Sequence, residues 1–303
     1  MEARMRLTRA FFCIPLVLLS SGASRSEAEV QSEGVIVGWN IAGVEPIPSA
    51  RLARIVQVIR RINPDVLILS EVNPNEAAFQ IAQQLGPGYR AVLRRQNETV
   101  VQNIAVIHNS RATVGNARLI DESDLPEEER SRRALAVDVW IGQFDFLLIG
   151  VHLKSGRSAT NRAQRTRQVA AISTFIDQTL NASERDVLVV GDYNMIPPTP
   201  TRANDRANFN ALNAGGRLRF ISSESLAGRP SHFQRCSPPE GNLLDGFAIA
   251  RNDTREFVEG SIRLLSFSEL GHTCEDFVGA SGVVGVSDHA PVLARFSVVN
   301  DDD

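Results

Sequence analysis

Residues 186–194 read DVLVVGDYN, and this segment decides the fold. Its apolar stretch predicts a buried strand over residues 186–190, because a strand that is covered on both faces is apolar throughout. Asp192 and Asn194 follow directly after this strand. Functional sites in α/β folds are commonly built at such strand ends. The segment therefore predicts an α/β fold with a site at the end of this strand.

Further strands and helices alternate on both sides of this segment. Apolar patterns predict strands at residues 35–41, 65–72, 90–95, 103–108, 134–141, 145–153, 217–222, 243–250 and 291–299. Helical periodicity predicts helices at residues 49–63, 75–85, 161–180 and 203–213, the first of them capped by Ser49. The charged residues 121–133 predict a surface loop or a short helix.

The two halves of the chain share an order of strand, helix, strand and paired strands. Mixed strands with interleaved helices are typical of an α/β four-layer sandwich, in which two packed mixed β-sheets are flanked by helices. No change in composition separates the halves, so we predict one domain over residues 31–299.

The overall composition is that of a globular protein. Of the 303 residues, 43% are hydrophobic and 22% are charged, which excludes a disordered or collagen-like chain. The formal net charge is −3, so the sequence does not predict binding to polyanions through overall charge alone.

The N-terminus has the pattern of a signal peptide. Arg4, Arg6 and Arg9 precede the apolar run 10–19, and small residues follow. This run is too short to span a bilayer. We therefore predict a signal peptide over residues 1–23 and a secreted or periplasmic product without a stable membrane anchor; an uncleaved anchor or a frayed terminus is the alternative. Removal of three arginines and one glutamate would change the net charge from −3 to −5.

The cysteines are consistent with export. Cys13 lies in the predicted signal peptide, which leaves Cys236 and Cys274 in the domain. Two cysteines in an oxidising compartment predict one disulfide, and two free buried thiols are the alternative.

Polar side chains that can bind metal or transfer protons lie at the ends of the predicted strands. Any one of them alone is ordinarily just the start of a loop. They are Asn40, Glu71, His152, Asp192, Asn194, Asp245, Asp288 and His289. Carboxylates and amides without cysteine form a hard ligand set that suits Mg²⁺, Mn²⁺ or Ca²⁺ rather than a structural zinc. Two imidazoles beside a metal-bound phosphate suit acid–base hydrolysis of a phosphoester.

These residues occur in six short motifs. They are Trp39-Asn40, Ser70-Glu71-Val72, Val151-His152-Leu153-Lys154-Ser155, Gly191-Asp192-Tyr193-Asn194, Leu244-Asp245 and Ser287-Asp288-His289-Ala290-Pro291-Val292. In this order, over residues 35–299, they resemble the motifs of the endonuclease/exonuclease/phosphatase superfamily, which has the fold of deoxyribonuclease I. The resemblance implies a metal-dependent phosphoester hydrolase but does not set its substrate.

The resemblance also implies the roles of the metal-binding residues. Asn40, Glu71 and Asp288 match positions that hold or support a divalent metal, with Mg²⁺ expected. Asp192 and Asn194 match the pair that binds a second metal or the scissile phosphate and positions water.

Two histidines are implied to transfer protons. Asp245 matches the carboxylate that orients His289, which would act as general base on water. Such a carboxylate fixes the tautomer of an imidazole and raises its basicity. His152 matches a histidine that protonates the leaving oxygen or holds the phosphate. Its acidic partner is not evident, and the residues in the corresponding region are Glu98, Gln102 and Asn103.

A basic stretch after His152 has two interpretations: it contacts substrate phosphates, or it is the solvated face of a helix. It comprises Lys154, Arg157, Arg162, Arg165 and Arg167. Trp39 is predicted to be a core residue and His232 a loop residue.

The sequence therefore predicts an exported, monomeric phosphodiesterase that depends on a divalent metal. The leading hypothesis is a nuclease that hydrolyses DNA or RNA with water activated by His289 and Asp245. The alternative on the same fold is a phosphatase, or a sphingomyelinase or phospholipase C-type hydrolase, acting on a phospholipid or small phosphoester. A catalytically silent binding protein is a further alternative, which the complete set of catalytic residue types disfavours.

Overall fold

Two six-stranded mixed β-sheets face each other in a computed structural model, which describes residues 32–43, 46–96, 102–125, 132–180, 186–198, 205–280 and 283–301. The predicted signal peptide lies outside these residues, so it stays a prediction.

The first sheet is built mainly from the N-terminal half of the chain and the last strand. Its strands are β1 (Glu33–Asn40), β2 (Val66–Val72), β3 (Arg90–Leu93), β4 (Asn103–His108), β13 (Arg263–Leu264) and β16 (Val292–Ser297). They are ordered β13-β16-β1-β2-β4-β3, and only β1 and β2 are parallel neighbours. Helices α1 (Ser49–Ile62) and α2 (Glu76–Leu85) cover the outer face of this sheet.

The second sheet is built from the middle of the chain. Its strands are β5 (Ala112–Leu119), β6 (Leu135–Ile141), β7 (Phe144–His152), β8 (Val187–Asp192), β9 (Leu218–Arg219) and β12 (Asp245–Ala250). They are ordered β5-β6-β7-β8-β12-β9, and only β7 and β8 are parallel neighbours. Helices α3 (Ala159–Leu180) and α4 (Arg206–Leu212) cover its outer face.

Short elements complete the fold. They are 3₁₀ turns at Asp121–Ser123 and Ala214–Gly216, helices α5 (Ile221–Ser225) and α6 (Cys274–Val278), and two hairpins, β10 (His232–Cys236) with β11 (Pro239–Asn242) and β14 (Gly279–Ala280) with β15 (Val283–Val284). Among the described residues, none of the helices combines the length and the apolar character that crossing a membrane requires.

Three apolar clusters hold the layers together. The cluster between the sheets contains Ile68 and Leu148, one from each sheet. A second cluster joins Ile55 of α1 to the first sheet, and a third joins Ile172 of α3 to the second. The predicted four-layer α/β sandwich is therefore confirmed.

Two glycines let the sheets approach each other near the strand ends. A Cβ atom at Gly38 would lie 2.8 Å from Cγ1 of Val190, and one at Gly150 would lie 2.8 Å from Cγ2 of Ile104. These separations are too short for a side chain without displacing its neighbours. Gly38 and Gly150 each lie two residues before the end of their strand, so the close packing fixes how these ends meet.

Two predictions of local structure were wrong. Ser49 does not cap α1, because it is the first residue of the helix and Pro48 occupies the cap position. The carbonyl of Pro48 accepts the N–H of Leu52 at 2.9 Å. The predicted strand 217–222 contains only β9 and then turns into α5. At this point the side-chain hydroxyl of Ser222 accepts the backbone N–H of Phe247 in β12 at 2.5 Å. This hydroxyl takes the place of the backbone carbonyl that a longer β9 would supply.

Two elements near the edges were not predicted. In β5 the register shifts between Gly115 and Arg118, and this bulge interrupts the alternation by which a strand is recognised. The hairpin of β10 and β11 is polar, and none of its residues is fully buried. It is attached to α6 by the predicted disulfide between Cys236 and Cys274, whose Cα atoms lie 5.7 Å apart.

Candidate active site

The ends of several strands meet at one edge of the sandwich. The parallel strands β1 and β2 carry Asn40 and Glu71 there. The parallel strands β7 and β8 end at His152 and Asp192, which are paired with each other. The antiparallel strand β12 begins at Asp245, directly opposite Asp192. Polar residues from both sheets are therefore brought to one place.

Two amides hold the carboxylates at this edge, and one of them, Asn40, connects the two sheets. The side-chain nitrogen of Asn40 donates to Oε1 of Glu71 (3.2 Å) and to Oδ2 of Asp192 (3.0 Å). The side-chain nitrogen of Asn194 also donates to Oδ2 of Asp192 (3.1 Å), and its backbone N–H donates to Oδ1 (2.8 Å). The oxygen of Asn40 accepts the N–H of Ala42 at 2.9 Å. Asn40 therefore supports the carboxylates through its nitrogen.

The backbone at this edge adopts conformations that non-glycine residues rarely take. Glu71 has a φ of 58° and Asn194 has a φ of 49°, both in the left-handed region. Such residues are held by the surrounding structure at a cost of about 1–3 kcal/mol each, and they cluster at functional sites.

Burial raises the pKa of the two carboxyl groups in this network. Burial is the largest cause for Glu71, although His289 and Asn40 oppose it. Burial and the neighbouring carboxylate of Asp245 raise the pKa of Asp192 to about 7. A divalent cation would favour the charged forms of both groups, since an opposite charge lowers the pKa of a carboxyl group.

Asp245 and Ser231 hold His289 in place. Oδ2 of Asp245 lies 2.7 Å from Nδ1 of His289 and accepts the hydroxyl of Ser231 at 2.7 Å. The hydroxyl oxygen of Ser231 accepts the backbone N–H groups of Leu244 (2.9 Å) and Asp245 (3.0 Å). The indole of Trp39 donates to the backbone carbonyl of His289 at 2.8 Å. Trp39 is fully buried, which confirms that it is a core residue.

The surroundings of His289 favour its protonated form. Burial lowers the pKa of His289, but the carboxylates of Asp245, Asp192 and Asp288 together outweigh burial and raise the pKa to about 10. A cation bound by these carboxylates would oppose the imidazolium charge and bring the pKa of His289 back towards neutrality.

His152 has the opposite character. It is 1% exposed, and its Nε2 lies 3.5 Å from Oε1 of Glu71 and 3.7 Å from Oδ2 of Asp192. Burial lowers its pKa well below the ordinary value, and the charges of Arg132 and His289 act in the same direction. These surroundings favour the neutral form of the His152 imidazole.

The structure assigns no acidic partner to Nδ1 of His152, which has no hydrogen-bond partner among the described residues. Gln102 instead accepts from Arg132 at 2.9 Å, and Asn103 accepts the N–H of Gln96 at 3.4 Å. Glu98 lies outside the described residues.

The site opens to solvent through a cavity of about 360 Å³. The sequence-predicted residues that line it are Glu71, His152, Asp192, Asn194, Asp288 and His289. Asn40 and Asp245 lie behind this wall and act on the lining residues through hydrogen bonds. All eight candidate residues are therefore brought together, six at the surface of the cavity and two behind it.

Some residues of the basic stretch after His152 lie where a substrate could contact them, and others do not. Arg157 and Arg162 line the cavity, whereas Lys154 and Arg167 do not. Arg165 also lines it, but its guanidinium pairs with Asp205 at 3.1 Å and is buried. Arg157 and Arg162 are thus the two guanidinium groups most able to contact a substrate.

The prediction that His232 lies in a loop was wrong. His232 begins β10 and lines the cavity, with its ring centroid 4.7 Å from that of His289 and its Nε2 3.8 Å from Oδ2 of Asp288. Sequence reasoning also missed Ser231. Both residues reach the site through long-range backbone pairing with residues 288–290, and the nearby Cys236 is the only local signal of an anchored segment.

The donor atoms suit a hard divalent cation. Glu71, Asp192, Asn194 and Asp288 line the cavity, and carboxylate and amide oxygens are typical ligands of Mg²⁺. Burial raises the pKa of Glu71 and Asp192, and a bound cation would stabilise their charged forms. The residues present therefore fit a divalent metal.

Comparisons with known proteins agree on the fold. No curated protein sequence matches the chain. Among solved structures, D. rerio TDP2 complexed with a single-strand DNA product has a TM-score of 0.62 and 18% identity, and the match covers 88% of this chain and 99% of TDP2. The human Nocturnin catalytic domain with bound sulfate has a TM-score of 0.61 and 16% identity, over 88% and 95% of the two chains. The 3′ phosphatase NExo from Neisseria, bound to a product DNA hairpin, has a TM-score of 0.61 and 16% identity, over 87% and 99%.

The family assignment rests on a match between the sequence and a family profile. The profile of the Endonuclease/Exonuclease/phosphatase family matches residues 37–289, which include all eight candidate residues from Asn40 to His289. The match agrees with the sandwich of two mixed sheets and with the site at their shared edge. The chain therefore belongs to the endonuclease/exonuclease/phosphatase family and has the deoxyribonuclease I-like fold.

Proposed function

We propose that this protein is an exported, divalent-metal-dependent phosphodiesterase, and specifically a nuclease that hydrolyses DNA or RNA. One observation carries the proposal. The carboxylate-held His289, the neutral His152 and the carboxylates Glu71, Asp192 and Asp288 all line the same cavity. This combination supplies a base, a second imidazole and a ligand set for a metal in one place.

His289 is the base in this proposal. Its Nδ1 is held by Asp245 at 2.7 Å, so its Nε2 is the nitrogen left to accept a proton from water. Asp245 stabilises the imidazolium that forms, as the carboxylate does in other carboxylate–histidine pairs. Asp192 and Asn194 orient the water and the phosphate from the adjacent wall.

His152 acts on the opposite side of the phosphate. Its buried, neutral imidazole can donate a hydrogen bond through Nε2 to the phosphate or to the leaving oxygen. A neutral donor does not add charge to the buried edge of the sheets, where burial penalises charged groups.

A divalent cation, Mg²⁺ in our proposal, would be held by oxygens of Glu71, Asp288, Asp192 and Asn194, with Asn40 supporting two of them. Bound there, the ion supplies charge stabilisation for the phosphate in the transition state. Mn²⁺ or Ca²⁺ could be held by the same oxygens, because all three prefer this ligand type.

Nucleic acid is the proposed substrate because the cavity is cationic on one wall. Arg157 and Arg162 line the cavity beside the carboxylates, and guanidinium groups bind phosphates well. The structures of TDP2 with DNA product and NExo with a DNA hairpin support this substrate class by fold analogy only.

The proposal is tested with supercoiled plasmid, Mg²⁺ or EDTA, and the variants His289→Ala and His272→Ala. His272 lies outside the cavity lining and serves as the matched control. We expect nicking by the native protein and by His272→Ala with Mg²⁺, and none with EDTA or with His289→Ala. Intact plasmid and intact RNA with folded, Mg²⁺-loaded protein would refute the nuclease. Turnover of a phosphomonoester or a phospholipid under the same conditions would then establish the alternative hydrolase.

Export through a cleaved signal peptide over residues 1–23 is part of the proposal. The disulfide between Cys236 and Cys274 supports it, because disulfides persist in oxidising compartments. Expression of the full chain with an intact export pathway should place a shortened protein outside the cytoplasm. Intact mass spectrometry should give the mass of the chain without its first residues, whereas full-length protein in the cytoplasm would contradict export.

A further inference from the structure

Two backbone segments at the mouth of the cavity are joined to each other. Two backbone hydrogen bonds, of 2.7 and 2.8 Å, connect residues 231–233 with residues 288–290. His232 and His289 form an antiparallel bridge within this pairing. Directly opposed residues of an antiparallel pair project their side chains to the same face. The backbone therefore places both imidazoles side by side.

The side chains of the two histidines converge on one carboxylate. Nε2 of His232 lies 3.8 Å from Oδ2 of Asp288, and Nε2 of His289 lies 3.9 Å from Oδ1. The three potential ligand atoms all lie within 4.8 Å of one another. In a tetrahedral zinc site the bonds are about 2.0–2.2 Å long, which places the ligand atoms roughly 3.4 Å apart. Small side-chain rotations would bring the three groups to that spacing.

The groups behind these side chains resemble the outer shell of a metal site. A metal-bound histidine usually donates its other N–H to a carboxylate, and Nδ1 of His289 lies 2.7 Å from Asp245. Asp245 is itself held by Ser231. The segment that carries His232 is attached to α6 through the disulfide of Cys236. The site is thus largely formed before any ion binds.

We propose that His232, Asp288 and His289 form a binding site for a transition metal ion of the zinc type, overlapping the hydrolytic site. Two imidazoles and one carboxylate suit Zn²⁺ and are poor ligands for Mg²⁺. The side chains of His232 and Asp288 are 22% and 35% exposed, so an ion can enter from solvent. All three residues line the cavity, so an ion held by them would be accessible to water or a phosphate oxygen.

The site has a consequence for hydrolysis. Zn²⁺ bound to Nε2 of His289 removes the nitrogen that accepts the proton from water, and it competes for Asp288. Zn²⁺ therefore inhibits the Mg²⁺-dependent reaction. This consequence rests on the proposed function, whereas metal binding does not.

The binding is tested by titrating Zn²⁺ into the metal-free protein against a chromophoric chelator. The variant is His232→Asn, and the matched control is His272→Asn, whose side chain lies beside Phe277 outside the cavity lining. We expect one Zn²⁺ per chain for the native protein and the control. The affinity of His232→Asn should fall by about 100-fold, because loss of an outer-shell partner alone already costs about 10–100-fold. Circular dichroism verifies that the variants are folded.

A second measurement uses the native protein alone. The chain has five histidines, so ¹⁵N spectra of histidine-labelled protein are simple. Zn²⁺ should shift the Nε2 signals of His232 and His289 and leave those of His108 and His272 unchanged. Equal affinity of the native protein and His232→Asn, or Zn²⁺-induced shifts confined to other histidines, would overturn the proposal. Stoichiometric binding through His232 without any phosphoester hydrolysis would refute the proposed function alone.

Discussion

Replacing Asp245 by Asn removes the buried charge that faces His289 without changing the size of the side chain. Asp245 is 2% exposed, and its Oδ2 lies 2.7 Å from Nδ1 of His289. Two unit charges about 4 Å apart attract each other by about 4 kcal/mol at an effective dielectric constant of 20. That energy corresponds to about three pKa units. We therefore expect the pKa of His289 in the metal-free protein to fall by about two to three units.

The shift is measured by NMR titration of protein labelled with ¹³C-histidine. The signal of His289 among the five histidines is identified by its loss in His289→Asn. The control is Asp121→Asn, because Asp121 is exposed and pairs with Arg133, which is not among the residues lining the cavity. The control should leave the pKa of His289 unchanged.

The same variant affects turnover. Amide substitution of the carboxylate in such a pair removes the group that sets the tautomer, and rates fall by about 10⁴-fold in the best-studied case. We expect a loss of plasmid nicking on the order of 10³-fold or more with Asp245→Asn. A folded Asp245→Asn protein in which the pKa of His289 moves by less than about half a unit would refute the reasoning.

Three further predictions concern stability. Ser231→Ala removes a hydrogen bond to Asp245 and an acceptor of two backbone N–H groups. The free energy of unfolding, measured with urea, should fall by about 2–4 kcal/mol. A change near zero would contradict the role of Ser231 in this network. Replacing Cys236 and Cys274 by Ser opens a 38-residue loop. The free energy of unfolding should then fall by about 4 kcal/mol relative to the oxidised protein. An unchanged urea midpoint would show that the disulfide does not stabilise the fold. The metal-free protein should lose stability from pH 7 to 9, by up to about 1.4 kcal/mol per pH unit, because folded His289, with a pKa of about 10, keeps a proton that the unfolded chain releases. Urea unfolding at several pH values measures that slope; saturating Mg²⁺ should reduce it, and a stability that rises with pH would oppose the assignment.

Residues at the ends of buried strands could be predicted from the sequence. His152 and Asp192 each terminate an apolar run, and parallel strands that end together bring such residues together. The location of Asn40 and Glu71 in the site could be predicted for the same reason. That the nitrogen of Asn40, and not its oxygen, faces the carboxylates could not be predicted, because it depends on the N–H of Ala42 occupying the oxygen.

Residues whose position depends on distant pairing could not be predicted. His232 and Ser231 lie in a polar segment without apolar periodicity, and their place in the site is set by hydrogen bonds to residues 288–290. Ser222 breaks the predicted strand 217–222 because its hydroxyl bonds Phe247, which is 25 residues away. Local patterns contain no information about such partners.

The position of β16 between β13 and β1 sets the stage of synthesis at which the candidate site can be completed. Asn40 is among the first site residues to be synthesised, but Asp288 and His289 follow 248 and 249 residues later, just before β16 closes the first sheet against β1. A nascent chain that ends before Asp288 contains Asp192 and His152 but lacks His289, the proposed base. A chain that is still being synthesised therefore lacks the complete site until β16 pairs with β1.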